Sequence, residues 1–158
     1  MTAFQKLKEI YPQPPRQDEI GHAPAAYVCA AATICDSEPL SQKAQEILAS
    51  PKHPWRKPLG RGDVVKICRN PQVDLIVAFS CCMAWGVQWS ASGYDSFHKA
   101  LCNSDKLQAE LNLLRNGDGS RKDAFLRLSK VGKIDGLEFA YFTKLIYFFM
   151  PKGNRGYI

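Results

Sequence analysis

Lys144 is the residue whose setting most directly suggests chemistry. It is the only charged side chain between Phe139 and Met150. Helical spacing places Tyr141 and Phe148 beside it. An apolar environment favours the neutral form of a lysine amine, the nucleophile that attacks a sugar C1′ and forms a Schiff base. Lys144 is therefore predicted to be a catalytic nucleophile. The alternative is a structural lysine whose stem covers apolar surface while its ammonium group reaches water.

A glycine-containing turn precedes this segment. Gly132 and Gly136 permit a sharp reversal of the chain before the last predicted helix. The backbone N–H groups of such a turn, together with the positive end of the next helix, can bind a phosphate group. The candidate contacts to a nucleic-acid backbone are the turn and the bases around it: Lys130, Lys133, Gly136, Leu137, Glu138, Lys152 and Arg155.

Gln88 and Trp89 are the candidate residues of a base pocket. They lie in a predicted loop of small residues and tryptophan, Gly86 to Gly93. A tryptophan ring in such a loop can stack on an extruded base, and a glutamine amide can hydrogen-bond the edge of that base. Two alternatives stay open: a loop glutamine that faces water, and a tryptophan that packs in the core. Trp85, at the end of an apolar run, is predicted to be a core residue.

The six cysteines and three histidines have no metal-ligand spacing. No C-x-x-C pair occurs, and the histidines are widely separated along the chain. Cys81 and Cys82 lie inside an apolar run, where a free cysteine usually packs as a small core side chain. We therefore expect no metal site, no cofactor and no disulfide framework, in keeping with the reduced thiols of a cytoplasmic protein.

The elements that position these residues are all predicted to be helices. Periodicity and capping signals place them at 3–10, 25–35, 42–48, 64–69, 72–85, 94–101, 105–115, 121–131 and 137–150. No segment has the alternation of a strand, and no internal repeat is visible. The pattern predicts a single all-α domain of residues 1–158 that ends in a helix-hairpin-helix-like element.

Local signals fix the predicted helix starts. Ser41, Asp63 and Ser120 are the expected N-caps of the helices that follow them. Asn70-Pro71 is expected to open the helix of residues 72–85, because proline is tolerated in the first helical turn.

The composition is that of a globular chain with more basic than acidic residues. Its formal charge of +6 is compatible with a polyanionic partner. The positive charge is concentrated in residues 51–69, 115–133 and 144–158. These blocks are either three solvated surfaces or parts of one face that follows a phosphate backbone. The longest uncharged apolar stretch, Leu75 to Trp85, is far shorter than the roughly 20 residues that span a bilayer, so no membrane partner is expected.

A longer motif includes the turn and Lys144. From Gly136 it reads Gly-Leu-Glu-Phe-Ala-Tyr-Phe-Thr-Lys-Leu-Ile-Tyr-Phe-Phe, and Gly156-Tyr-Ile follows. Upstream stand Arg61-Gly-Asp-Val-Val and Ala84-Trp-Gly. Over residues 60–158 the chain resembles the helix-hairpin-helix DNA glycosylase superfamily, and bacterial 8-oxoguanine DNA glycosylase-like proteins in particular. The resemblance implies an all-α fold, duplex DNA as partner, and extrusion of a base whose glycosidic bond is cleaved.

The family's residues carry over only in part. Gly136-Leu137-Glu138 falls on the Gly-hydrophobic-Gly hairpin that seats a DNA phosphate in the superfamily, with Glu138 in place of the second glycine. Strict register from this hairpin puts Ala140 at the position of the family's nucleophilic lysine, and Lys144 lies one turn later.

The family's essential aspartate would come next to, or just after, Ile158. The resemblance therefore implies a glycosylase-like chain that lacks the family's C-terminal part. In a natural short form another carboxylate would have to substitute: Asp118, Asp123, Asp135 or Glu138.

Three hypotheses follow. The first is a base-excision DNA glycosylase or lyase, or a piece of one, in a setting of bacterial anti-phage defence that some relatives share. The second is a catalytically inactive helical module that binds DNA or a protein partner. The third is a helical scaffold whose positive charge is incidental.

Overall fold

The computed structural model describes residues 22–86, 91–130 and 132–151. These ranges contain eight α-helices and no β-strand, which confirms the predicted all-α fold. The helices are α1 Ala25–Ile34, α2 Glu38–Ala49, α3 Arg61–Arg69, α4 Leu75–Gly86, α5 Ala91–Leu101, α6 Ser104–Asn116, α7 Arg121–Ser129 and α8 Phe139–Phe149, with a 3-10 turn Pro54–Arg56 before α3. The helix predicted at residues 3–10 lies outside the described residues.

Helix α4 forms the centre of the core. It carries no charged residue, and every side chain from Ile76 to Ala84 is buried. A helix that is apolar on all sides must be covered on all sides. Helices α1, α2, α3, α6 and α8 accordingly pack around it.

Helix α8 is the second buried element, and it carries the residues that sequence singles out. It packs against α3, α4, α6 and α7. Its buried side chains follow helical spacing: Phe142, Leu145, Ile146, Phe148 and Phe149. Burying each such side chain contributes roughly 1.5–3 kcal/mol. Position and tilt of α8 are therefore set by its apolar face and not by the hairpin that precedes it.

Arginines tie the ends of the helices to one another. The Arg69 guanidinium donates to the carbonyl oxygens of Tyr147 and Phe148 at 3.0 and 3.2 Å. Arg115 donates to the carbonyl oxygens of Cys68 and Val73 at 2.8 and 2.7 Å. Carbonyl groups in a last helical turn have no intrahelical donor. Desolvation of these guanidinium groups is the main cause that lowers the pKa of Arg69 and of Arg115.

Two more arginines have similar structural partners. Arg56 donates to the carbonyl oxygens of Ile47 and Ser50 at the end of α2. Arg127 forms a 2.7 Å ion pair with Glu110 between α7 and α6. Four of the twelve basic residues in the ranges 51–69 and 115–133 therefore have structural partners within the fold.

One predicted helix start is right. The Ser120 hydroxyl accepts the N–H of Asp123 at 3.1 Å, and Asp123 accepts the N–H of Ser120 at 2.9 Å, so that α7 begins with a reciprocal capping box.

Other helix starts differ from the prediction. Helix α2 begins after Ser37 and not after Ser41, because the Ser37 hydroxyl accepts from the N–H of Leu40 and Pro39 is suited to the first turn. Asp63 lies inside the first turn of α3 and accepts the N–H of Gly60 at 3.2 Å.

The predicted start of α4 also differs from the observed one. Asn70-Pro71 forms a separate turn, in which the Asn70 side chain accepts the N–H of Gln72. The side chain of Asp74 then accepts the N–H groups of Ile76 and Val77, and α4 begins only at Leu75. A carboxylate directly before the apolar helix satisfies two donors that Asn70 is too far away to reach.

Candidate nucleic-acid interface

The predicted hairpin joins α7 to α8, with residues 132–138 between them. Gly136 has a φ of +86°, a left-handed conformation that side chains with a Cβ rarely adopt. A Cβ at Gly136 would also overlap the backbone oxygen of Ser96 and lie 2.8 Å from the Cβ of Lys99. The hairpin is therefore seated directly on α5, and only glycine fits at this position.

Apolar side chains hold the hairpin in place. Ile134 and Leu137 are buried, and the N–H of Leu137 donates to the carbonyl oxygen of Ile134 at 3.0 Å. Lys106 donates to the carbonyl oxygen of Lys133 at 2.6 Å. The side chain of Leu137 thus belongs to the core, and its N–H is engaged within the turn.

The outer side of the hairpin is exposed and charged. Lys130, Lys133 and Glu138 are all exposed, and the Lys133 ammonium lies 3.5 Å from the Glu138 carboxylate. Glu138 is the N-cap residue of α8, although its side chain makes no capping bond. The first N–H groups of an α-helix have no intrahelical acceptor, and they form its positive end. The surface therefore presents two lysines and a helix start, together with the exposed carboxylates of Asp135 and Glu138.

Lys144 lies against the end of α4. Its Nζ donates to the carbonyl oxygen of Gly86 at 2.8 Å and is 5.5 Å from the centre of the Tyr141 ring. A Cβ on Gly86 would be 2.5 Å from the Cδ of Lys144, so the missing side chain makes room for the lysine. Sequence reasoning missed the role of Gly86, since 58 residues separate the two partners.

The contact between Lys144 and Gly86 has a structural consequence as well. A cation at the C-terminal end of a helix satisfies a free carbonyl group and interacts favourably with the helix dipole. The structural alternative for Lys144 therefore takes a specific form: the amine is a C-terminal cap of α4 rather than a group that reaches open water.

An aromatic and cationic cluster adjoins Lys144. The Arg61 guanidinium carbon is 5.2 Å from the centre of the Trp85 ring and 5.9 Å from that of Tyr147. Trp85 also contacts Phe148 edge to face at 5.2 Å. Trp85 packs against the core, as predicted.

Several predicted site residues lie outside the described part of the chain. These are Gln88 and Trp89 of the base pocket, together with Lys152 and Arg155 of the backbone contacts. The base pocket therefore stays a prediction. Residues 87–90 follow Gly86 directly in sequence.

The candidate substitute carboxylates are not gathered around Lys144. Among the described residues, none forms an ion pair with it. Hydrogen bonds from Ser120 lower the pKa of Asp123, whose carboxylate is used as a helix cap. Asp118, Asp135 and Glu138 are exposed.

Two of the cysteines are core residues, as predicted. Cys81 and Cys82 are fully buried, and burial raises the pKa of the Cys81 thiol far above its ordinary value. Within the described ranges, no group of three His, Cys, Asp or Glu side chains could hold a metal ion. None of the helices described there has the length and apolarity needed to cross a bilayer.

Two surface clefts of about 420 and 280 Å³ lie elsewhere. The larger is lined by residues of α1 and α2 with Arg56, and the smaller by α2, Trp55 and the start of α4. Neither of these two clefts contains Lys144 or a hairpin residue.

The family described as "Putative 8-oxoguanine DNA glycosylase OGG-like protein" matches residues 31–156 of this chain. The matched range includes the hairpin, Gly86 and Lys144, and it extends further toward the N-terminus than the resemblance noted from the motifs. No curated protein and no solved structure matches the chain. Because the match covers well over half of its residues, the chain belongs to this 8-oxoguanine DNA glycosylase-like family.

Proposed function

We propose that this protein binds duplex DNA through the hairpin and the first turn of α8. The observation that carries the proposal is the exposed positive end of α8, with Lys130 and Lys133 beside it, at the family's phosphate-binding position. Lys152 and Arg155 are proposed to extend the same backbone contact. The arginines that tie helix ends are not expected to contribute, since their guanidinium groups donate to backbone carbonyl oxygens within the fold.

The test is the salt dependence of binding to a fluorescently labelled duplex. Each phosphate contact made by a lysine releases counterions from the DNA. A plot of the logarithm of the binding constant against the logarithm of the salt concentration therefore has a slope of about −0.9 per contact. We expect micromolar or tighter binding at low salt and a slope that corresponds to several contacts. The absence of binding at the lowest salt would contradict the proposal.

A second function, base excision with lyase activity, is favoured by the position of Lys144. Its amine is half-buried between Tyr141 and the end of α4, directly before the segment that holds Gln88 and Trp89. In the proposed reaction the Nζ lone pair attacks C1′ of the damaged nucleotide, and the glycosidic bond breaks. The attacking amine has given up one proton of its ammonium group, and the base leaves with the bonding pair and takes up that proton. A second proton moves from Nζ to the ring oxygen O4′ as the C1′–O4′ bond breaks, which leaves a Schiff base between Nζ and C1′.

Borohydride trapping on oxidised, deaminated and abasic duplexes tests this reaction, because reduction makes the Schiff base permanent. Wild type should give a covalent adduct, and Lys144→Ala should give none. Lys144→Arg is the matched control, since it keeps a cation and a donor to Gly86 but forms no Schiff base. No adduct and no released base from any duplex would exclude the enzymatic function and leave the inactive DNA- or protein-binding module.

The cellular setting proposed from the resemblance is the bacterial cytoplasm, in defence against phage. Plaque counts on cells with and without the intact gene test it. Protection that is lost in the Lys144→Arg variant would connect defence to the reaction, and protection that persists would connect it to binding alone.

A further inference from the structure

An aromatic cluster stands at the start of α8, next to the hairpin. Phe139, the first residue of the helix, contacts Phe125 and Phe142 edge to face, with ring centres 5.7 and 5.8 Å apart. Phe125 and Phe142 are 5.4 Å apart. We call these three residues the hairpin aromatic cluster. Its members differ in exposure, since Phe142 is 5% exposed whereas Phe139 is 62% exposed.

The exposed ring of Phe139 is held in one place. Two edge-to-face contacts on rigid helices restrict where it can point, because such contacts prefer defined ring geometry. Leu126, on the neighbouring turn of α7, is also exposed, at 43%. Leu126 follows Phe125, the contact partner of Phe139, in sequence, and we call the exposed side chains of Leu126 and Phe139 the apolar step.

Basic side chains surround this apolar step. Lys122 is exposed and lies one helical turn before Leu126 on α7. Lys130, also exposed, is the residue at which α7 ends, and the exposed carboxylate of Glu138 directly precedes Phe139. Lys133 belongs to the hairpin itself. A partner that covers the step therefore carries negative charge next to flat apolar faces. Nucleic acid has this combination, and an unpaired base offers the face on which an aromatic ring can stack.

We propose that Phe139 stacks on an unpaired nucleobase of DNA held by the hairpin. The inference rests on the proposed DNA-binding function and refines it: the preferred substrate has locally unpaired bases, as in a bubble, a gap or a single strand. Lysines on either side contact phosphates, while the ring contacts a base face without reading its identity. Fully paired duplex would use the lysines alone.

The experiment measures binding to a duplex with a four-nucleotide bubble and to the same duplex fully paired. Phe139→Ala should weaken binding to the bubble by at least fivefold, and by up to about a hundredfold, as expected for the loss of one stacked base. The loss of affinity for paired duplex should be smaller than the loss for the bubble, because the phosphate contacts of the lysines do not involve the ring. Phe139→Leu, which keeps apolar area but loses the ring, should behave like Phe139→Ala.

Phe139→Trp gives a direct readout of stacking. Its additional fluorescence should be quenched by bubble DNA, and binding should be retained. Leu48→Trp is the matched control, since Leu48 is 66% exposed on α2, away from the hairpin. Its fluorescence should not respond. Circular dichroism checks that each variant is folded. Both sites are exposed, so we expect the substitutions to leave the fold intact.

Three results would overturn the inference in distinguishable ways. No DNA binding by wild type at low salt removes the proposed function itself. Normal binding with no effect of Phe139→Ala and no quenching of Phe139→Trp removes only the stacking contact. Self-association in sedimentation velocity that disappears in Phe139→Ala would assign the apolar step to a second copy of this chain.

Discussion

The two ends of α8 are built in opposite ways. At the C-terminal end, Arg69 satisfies the carbonyl groups of Tyr147 and Phe148, and the ring of Phe149 is buried below the Arg115 guanidinium. At the N-terminal end, Glu138 makes no capping bond and Phe139 is mostly exposed. The C-terminal end of α8 is thus capped by other parts of the fold, and we call it the closed end. The N-terminal end at Glu138 and Phe139 has no such cap, and we call it the open end.

This difference separates positive charge that stabilises from positive charge that can bind. An arginine side chain can donate to several carbonyl groups at once. At the closed end, the guanidinium group therefore hydrogen-bonds to backbone oxygens. Lysines dominate the open end, where their ammonium groups remain at the surface. A count of basic residues along the chain does not distinguish these two uses, and the structure does.

The largest expected effect is on stability, at the closed end. Phe149→Ala should lower the free energy of unfolding by about 3–5 kcal/mol, the usual cost of emptying a phenylalanine site in a core. Phe139→Ala, the matched change at the open end, should cost less than about 1 kcal/mol. Urea unfolding followed by circular dichroism measures both. Equal losses would mean that the two ends of α8 are not different in kind.

The next effect concerns the arginine ties. Arg115→Met keeps the aliphatic volume but leaves the carbonyl oxygens of Cys68 and Val73 without their donor, and should cost roughly 2–3 kcal/mol. Affinity of the folded variant for paired duplex should be unchanged in an anisotropy titration. A loss of affinity with no loss of stability would instead place Arg115 in the DNA contact.

Interactions between residues that are close in sequence could be predicted more readily than those between distant residues. The Ser120 cap was predictable, because its partner Asp123 is three residues away. The N-cap of α2 is Ser37 and not the predicted Ser41, and the two serines give similar local signals. The preference for Asp74 over Asn70 turns on which side chain reaches the first N–H groups of an apolar helix.

Contacts between distant parts of the chain could not be predicted. The pattern marked Gly136 as a turn residue, but not its close approach to Ser96 on α5. Lys144 stood out by its apolar neighbours, whereas its actual acceptor is the backbone of Gly86. Phe139 looked like one more residue of an apolar helix, and only its position at the first turn leaves it exposed.

A smaller effect is expected from charge at the open end. Glu138→Gln removes a carboxylate next to the proposed phosphate and releases Lys133 from its ion pair. Affinity for paired duplex should rise by roughly fivefold at low salt, equivalent to about 1 kcal/mol, and stability should not change. Anisotropy titrations of both proteins measure the ratio. Weaker binding by the variant would show that the carboxylate supports the contact.

The smallest effect is a pH-dependent one at the start of α7, the helix that carries Phe125. Hydrogen bonds from Ser120 lower the folded-state pKa of Asp123, so its carboxylate stabilises the fold above its unfolded-state pKa of about 4. This contribution is lost as pH falls through the lower folded-state pKa. Asp123→Asn should therefore be less stable than wild type at pH 7, and the difference should vanish in acid. A difference that persists in acid would contradict this origin.

The central claim, that the open end of α8 binds DNA, is tested most directly by a charge-matched pair of double variants. Lys130→Ala with Lys133→Ala removes two lysines at the hairpin, and Lys52→Ala with Lys57→Ala removes two exposed lysines beside the 3-10 turn. The measurement is the salt slope of binding to paired duplex. We expect the hairpin variant to lose about two units of slope and roughly tenfold in affinity, and the control to keep the wild-type slope. Equal losses in both variants would contradict the account, since binding would then follow net charge alone.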